Sequence, residues 1–427
     1  MSHRKTDLGI LRPLKCAKVV LGSAAKDNTG ALGETTMRSR IRRAVLVAGA
    51  IAAVSLCTAQ LAQAQETIKI GAILPMTGPF QSTGAEASAA INLFLQQHGS
   101  IVAGKKIEVI LRDDAGVADN AKRLAQELIV NDKAQILIGF GLTPIAMAVA
   151  PLATEAKVPM VVTVASTSVI VDRSPYIVRT IQTIPQIAII VGAWAAKNNI
   201  KTIVTVVSDY APGHDAEQWF AKAFEQGGGK ITEKLRVPLA NPDFAPFLQR
   251  ASDNKPEAIF AFVPAGVGGT FARQFVERGL NKSGIRLVSM SDVMDDDLIN
   301  GMGDAVLGVI SGGPYSIAHK SQENQAFVSA FRKANNNRRP NIVALSAYDG
   351  MTLIYRGLTA TKGAADGTAL IEAMKGMQWE SPRGPVRIDP ATRDIVQNIY
   401  LRKVERQDGE LYNIEFETYP AVKDPAH

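Results

Sequence analysis

Short apolar runs and amphipathic stretches alternate along most of this chain, beginning at residues 66–78. Ile68, Ile70, Ala72 and Ile73 form a brief apolar run that Pro75, Gly78 and Pro79 halt, as expected of a buried parallel strand followed by a loop. In residues 83–97, Ala87, Ala90, Ile91, Phe94 and Leu95 recur at helical spacing, with Ser82, Thr83 or Gly84 as candidate caps. A strand at 106–113, a helix at 120–129, a strand at 136–138, a helix opening on Pro144 and a strand at 160–164 continue the pattern. Strict alternation of this kind predicts a parallel sheet covered by helices on both faces.

The pattern pauses near residues 183–185 and starts again. Helices are predicted at 187–198, 213–225, 244–251, 270–278 and 297–302, and strands at 202–207, 231–237, 258–263 and 286–290. Residues 306–313, apolar with glycines and closed by Pro314, predict a strand that crosses between domains. Helices at 324–334, 343–358 and 368–374 follow, then β-like segments at 386–388, 396–404 and 412–417 around an Asp408-Gly409 turn. The expected fold class is α/β, with two doubly wound parallel-sheet lobes of similar size and order. In such open sheets ligands bind at loops beyond the carboxyl ends of the strands.

Charge changes this picture only at the N-terminus. The formal net charge of +7 points first to nucleic acid or membrane, but residues 1–64 carry ten of the 47 basic and three of the 40 acidic side chains, which leaves the remainder balanced at 37 each. No nucleic-acid partner is expected. Arg38, Arg40, Arg42 and Arg43 precede an apolar run at 44–56 that ends in Ala62-Gln63-Ala64, the layout of a secretory signal cleaved after Ala64. The run is shorter than the roughly 20 residues of an ordinary membrane span, and a retained anchor is the alternative. Residues 1–36 precede this complete signal and read as a mis-assigned or disordered extension. Cys57 raises a lipoprotein reading, but Leu56 stands where lipid-attachment signals need a small residue. Both cysteines, Cys16 and Cys57, lie in the leader, so an exported mature chain has no disulfide and no cysteine-ligated metal.

Several motifs fail on spacing. Residues 264–275 follow a strand and open a helix, yet Gly266 and Gly268 complete neither a dinucleotide fingerprint nor a P-loop. Asp292, Asp295, Asp296 and Asp297 lack the pattern of a calcium loop, and Asp295 to Asp297 read instead as charges favoured at a helix N-terminus. Asp292 directly follows a strand and could face a cleft. His98, His214 and His319 have no metal-like spacing, and no nucleophile elbow occurs. No cofactor, metal or catalytic residue is expected. More informative are the strand ends Gly139 to Pro144 and Ala165 to Ser168, which should share one sheet edge. There Thr143, Ser166 and Thr167, with free backbone N–H groups, could hold a carboxylate, although small hydroxyl residues are equally common as plain caps.

At these residues the sequence resembles the periplasmic solute-binding proteins of ABC transporters in the leucine/isoleucine/valine-binding family. The resemblance rests on IKIGAILPMTGPF, IEVILRDDAG, ILIGFGLTP, VPMVVTVAS, PYIVRT, VVSDYAPG and AYDGMTLIY, in that order over 66–417. It implies two lobes joined by a three-crossover hinge and closing on a ligand, with 66–183 plus 316–382 in one lobe and 184–315 plus 383–420 in the other. It implies carboxylate-binding positions at Thr143 and at Ala165, Ser166 and Thr167, cleft aromatics at Phe80 and Tyr348, and cleft-edge loops at Pro264 to Gly266 and Asp292. It also implies a periplasmic, non-enzymatic, monomeric protein that presents its solute to an ABC permease in the inner membrane.

Two departures bear on the ligand. Branched-chain amino-acid binders of the family place a Tyr immediately before the glycine of the loop after VVSD, whereas here Pro212 precedes Gly213 and Tyr210 stands two residues earlier. The acidic residue that meets the ligand's amino group in that subgroup aligns with Ser291, one step from Asp292. A carboxylate ligand without an obligatory amine, such as an aromatic acid, is therefore expected, with aliphatic amino acids and short amides still open. The rivals are a ligand-sensing domain that reports to a receptor and a small-amide hydrolase, for which the sequence offers no nucleophile and base pair.

Overall fold

The computed structural model describes residues 66–427; the expected extension at 1–36 and signal at 37–64 lie outside the described residues. Two sheets organise the chain. The first is built from β1 (Thr67–Leu74), β2 (Ile101–Val102), β3 (Lys105–Asp113), β4 (Ile136–Gly139), β5 (Met160–Val162) and β6 (Ile177–Arg179), in the order β2-β3-β1-β4-β5-β6. All pairs are parallel except the β2–β3 hairpin. The residues of β4 and β5 are buried without exception, as in strands covered on both faces.

The second sheet repeats the order. It contains β7 (Thr202–Ser208), β8 (Lys230–Val237), β9 (Ala258–Phe262), β10 (Arg286–Met290) and β11 (Ile310–Gly313), arranged β8-β7-β9-β10-β11. It is then extended antiparallel by β12 (Gln378–Ser381), β13 (Gly384–Ile388), β14 (Ile395–Gln407) and β15 (Glu410–Val422). The β14–β15 hairpin turns on Asp408 and Gly409, both at positive φ. In each sheet the order reverses beside the first strand, between β1 and β4 and between β7 and β9, and such a reversal opens a crevice at the carboxyl edge.

Helices α1 (Gln81–His98), α2 (Ala118–Val130) and α3 (Thr143–Ala156) cover the first sheet together with α9 (Gln322–Ala334), α10 (Ile342–Ala360) and α11 (Gly367–Met374). Phe94 and Ile91 of α1 share one core with Leu345 and Met351 of α10. Helices α4 (Ile184–Lys197), α5 (Ala211–Gln226), α6 (Ala245–Asp253) and α7 (Gly268–Glu277) cover the second sheet, where Ile187, Phe220 and Phe260 form part of a separate core. The chain passes three times from one layer to the other, at 180–183, 314–321 and 375–377.

Two local readings are corrected. Helix α1 starts one turn's edge earlier than its candidate caps, at Gln81 with Phe80 in the N-cap position and no side-chain cap, because Ser82 and Thr83 are already inside the helix. The acidic cluster does not cap a helix: α8 (Ile299–Met302) is four residues long and begins beyond it. Instead, Asn341 donates to Asp295 and Asp297, and Asn413 donates to Asp296.

Candidate functional site: a cleft between the two sheet edges

β4 ends in an abrupt turn. Gly139 has φ 120°, and a Cβ there would lie 2.4 Å from the Ile73 carbonyl oxygen; Phe140 follows at φ 71° and is buried. This strained pair, of a kind concentrated at functional sites, delivers Gly141, Leu142 and Thr143 to the sheet edge. Thr143 opens α3, whose N-cap Leu142 supplies no side-chain cap and whose Pro144 has no N–H, so the positive end of the helix lies at the pocket with Thr143 on its lining. The loop after β5 brings Ala165, Ser166 and Thr167 alongside. The Thr143 and Thr167 hydroxyls lie 3.0 Å apart, both buried. Arg179 Nη1 donates to the Thr167 carbonyl at 2.6 Å and fixes that loop.

The second sheet supplies the opposite wall. Tyr210 and Pro212 come from the turn after β7, Phe262 and Pro264 from the end of β9, and Asp292 from the turn after β10. Together with Phe80, Thr83, Val164, Ile181, Gln182, Ile342 and Val343 these residues line one pocket with about 470 Å³ of empty space, its mouth included. The rings of Tyr210 and Phe262 are stacked 6.3 Å apart. The walls meet directly: Thr83 Oγ1 donates to the Ala265 carbonyl at 3.1 Å, and Gly266, at φ 85°, packs so closely that a Cβ would lie 2.5 Å from Ser82 Oγ.

Electrostatics differ between the walls. The first presents hydroxyls and a helix N-terminus. The second presents Asp292, whose Oδ2 is buried without a hydrogen-bond partner and whose carboxyl burial pushes up to about 6. Burial, with Asp292 adding to it, also raises the Tyr210 phenol well above its usual value. An orphaned buried carboxylate oxygen facing a cleft asks for a donor from a ligand.

The expected site residues are distributed as follows. Phe80, Thr143, Ala165, Ser166, Tyr210, Pro264 and Asp292 line the pocket. Thr167 stands behind Thr143, and Gly266 seals the edge against α1. Tyr348 is elsewhere: it points from α10 into a cluster with Phe94 and Phe327 and donates to Gln97 at 2.7 Å. Sequence reasoning does not place Thr83, Gln182 or Phe262 in the site, and it offers Thr83 only as a candidate helix cap. Each sits in a strand end, helix start or crossing segment with no local chemical signature, and only the facing of the two edges gathers them.

Beside the cleft, Glu86 of α1 is buried and pairs with Arg338 at 2.7 Å. Burial first and Asp297 second raise its carboxyl from 4.5 to about 8, against the opposing effect of Arg338. A folded-state value above the unfolded one means that the stabilisation from Glu86 is complete below pH 4.5 and is lost as pH rises through about 8. Glu86→Gln should therefore flatten the fall in melting temperature between pH 5 and pH 9, an effect on the order of a few kcal/mol at the alkaline end. Asp295 and Asp296 shift in the same direction, so part of the slope should persist. Parallel melts of the two proteins across that range are the check, and identical slopes would remove Glu86 from the explanation.

Comparison with known proteins matches residues 67–410 to a family described as periplasmic binding protein. The chain is 43% identical over 365 residues to Leu/Ile/Val-binding protein homolog 6 of Brucella abortus, covering 84% of this chain and 93% of that one. Among solved structures, it is similar to a solute binding protein of an ABC transporter from Rhodopseudomonas palustris BisB5 in complex with 3,4-dihydroxybenzoic acid, at 61% identity and TM-score 0.83, covering 84% of this chain and 99% of that one. It is also similar to a solute binding protein from Rhodopseudomonas palustris HaA2 in complex with p-hydroxybenzoic acid, at 43% identity, TM-score 0.81 and the same coverage.

Proposed function

Because the chain belongs to the periplasmic binding protein family, we propose that it captures a hydroxylated benzoic acid between its lobes for import by an ABC transporter. The observation that carries this reading is the polarity of the pocket: an anion-receiving helix N-terminus on one wall, an unpartnered carboxylate oxygen of Asp292 on the other, and aromatic and apolar side chains between them. A carboxylate on an aromatic ring would take donors from Thr143, Ser166 and the start of α3, the ring would lie among Phe80, Tyr210 and Phe262, and a ring hydroxyl would donate to Asp292. The ligands of the two Rhodopseudomonas proteins have this chemistry.

In this reading the first sheet with its covering helices forms one lobe and the second sheet the other, with β12 at 378–381 on the second sheet rather than in the first lobe where the sequence expectation puts it, and contacts made only when both walls touch the ligand shift the lobes toward closure. The mature protein starts after Ala64, works in the periplasm as a monomer without catalysis, and hands its solute to a permease of the inner membrane.

The Leu/Ile/Val name of the Brucella relative favours a second reading, in which Asp292 receives the ammonium group of an aliphatic amino acid. Titration calorimetry separates the two. 4-Hydroxybenzoate should bind more tightly than benzoate by about 10- to 100-fold, the value of one hydrogen bond to a charged acceptor, and leucine should bind weakly. Asp292→Ala should abolish the preference for the hydroxyl while leaving benzoate unchanged. Tighter binding of leucine than of either aromatic acid would overturn the proposal.

A further inference from the structure

Away from the cleft, three side chains that do not line the pocket converge. Asp394 precedes β14, Asp424 follows β15, and His427 lies three residues further on. One ligand atom from each lies within 4.8 Å of the others. Asp394 and Asp424 are 1% and 5% exposed, and the Oδ2 atom of each is buried without a hydrogen-bond partner. Both oxygens face the same nitrogen: His427 Nδ1 lies 3.5 Å from Asp424 Oδ2 and 3.9 Å from Asp394 Oδ2.

The other ring nitrogen is already engaged. His427 Nε2 lies 3.2 Å from Asp172 Oδ2, in the turn between β5 and β6. A carboxylate can only accept there, so Nε2 carries the proton, and in the neutral form of the ring the Nδ1 lone pair is turned toward the two orphaned oxygens. In that form three lone pairs point into one space, a repulsion that either a proton on Nδ1 or a metal cation would relieve. The spacing suits a metal: around a tetrahedral ion with bonds of about 2.1 Å, ligand atoms lie about 3.4 Å apart. The Asp172–His427 contact is the carboxylate that commonly orients a metal-bound histidine. Charge agrees, since three carboxylates, Asp172, Asp394 and Asp424, gather around His427, while Arg179 is bound to the other oxygen of Asp394, Oδ1, at 2.6 Å.

We propose that Asp394, Asp424 and His427 form a binding site for one divalent transition-metal cation of the zinc or manganese class, placed where the terminal strands of the second sheet meet the β5–β6 turn of the first. One imidazole with two carboxylates favours these ions over calcium, which takes six to eight oxygen ligands. The two layers are already stitched here, because Arg393 donates to the carbonyls of Ile177 and Val171 and Arg179 N–H donates to the Arg393 carbonyl. A cation would tie the tail to that junction. Its competitor is a proton on Nδ1, which the Asp172 hydrogen bond and the surrounding carboxylates favour on balance although burial opposes it.

The test uses protein recovered without an affinity tag from cells that express the full chain, stripped with a chelator, equilibrated with zinc or manganese chloride, and passed through gel filtration before metal analysis. One equivalent of either metal per chain is expected, with affinity reduced by at least ~10-fold in His427→Ala and in Asp424→Asn. His427→Ala removes a side chain on the tail and leaves the cores intact, so it decides the question even if Asp424→Asn folds poorly. No retained metal, or retention that His427→Ala leaves unchanged, would overturn the site and leave His427 as a protonated bridge between carboxylates.

Discussion

Asp349→Ala is expected to destabilise the protein by about 3–5 kcal/mol, the usual cost of leaving one partner of a buried ion pair alone. Asp349 of α10 and Arg383, between β12 and β13, are 1% and 0% exposed and lie 2.6 Å apart. Asp349 also accepts from Trp379 Nε1 at 2.9 Å and Ser381 Oγ at 2.8 Å, while Arg383 donates to Gln397 at 2.9 Å and to the Thr180 carbonyl at 3.1 Å. Two of the three passages between the layers are thereby fastened to one carboxylate. Removing it strands a guanidinium that has no route to water. Denaturant titration of Asp349→Ala, Arg383→Met and the double variant Asp349→Leu with Arg383→Met gives the check. The double variant should be more stable than Asp349→Ala, because it removes both charges. A loss below about 1 kcal/mol in Asp349→Ala would place the pair with exposed ion pairs, whose removal matters little.

Thr143→Val should weaken binding of benzoate and 4-hydroxybenzoate alike, by about 1.5–3 kcal/mol or roughly 10- to 150-fold, because in the proposed site the lost hydroxyl would serve the carboxylate that both share. Thr143 is 4% exposed, so water cannot replace the donor, and its partner hydroxyl on Thr167 would lose its contact as well. The pattern across ligands is the informative part. Asp292→Ala acts only on the ligand that carries a ring hydroxyl, and Thr143→Val acts on every carboxylate. Calorimetry of the two variants against both ligands would orient the solute in the cleft. A Thr143→Val protein that binds benzoate normally would move the carboxylate to another part of the pocket.

Much of this arrangement was legible in the sequence because parallel strands buried on both faces leave continuous apolar runs such as 136–138 and 258–263. Strands β2, β6 and β12 went unread: each has four residues or fewer and takes its identity from its neighbours. The acidic cluster was misread for a related reason. Its partners Asn341 and Asn413 lie more than 40 residues away, and local charge alone resembles a capping pattern. The loops after β4, β5, β7 and β10 could be singled out because strand ends mark the edge where ligands gather. Phe262 and Gln182 could not, since nothing in a chain announces which loop of one sheet will face which loop of another. For Tyr348, the helical phase of α10 decides its direction, and that phase turns it into packing with Phe94 and Phe327.

The three passages between layers also set the order in which the molecule can be finished. The strands of the first sheet lie within residues 67–179, yet α10, which shares its core with α1, begins at Ile342. A chain emerging from the ribosome would therefore hold an uncovered apolar face while residues 180–341 were still being made, and long-range contacts of this kind slow folding and expose intermediates to aggregation. The first sheet has to wait for the second to be synthesised before it can close its own core. A contiguous fragment ending near residue 180 should accordingly fail to fold, and delaying collapse until the whole chain is available would suit this topology better than folding during synthesis.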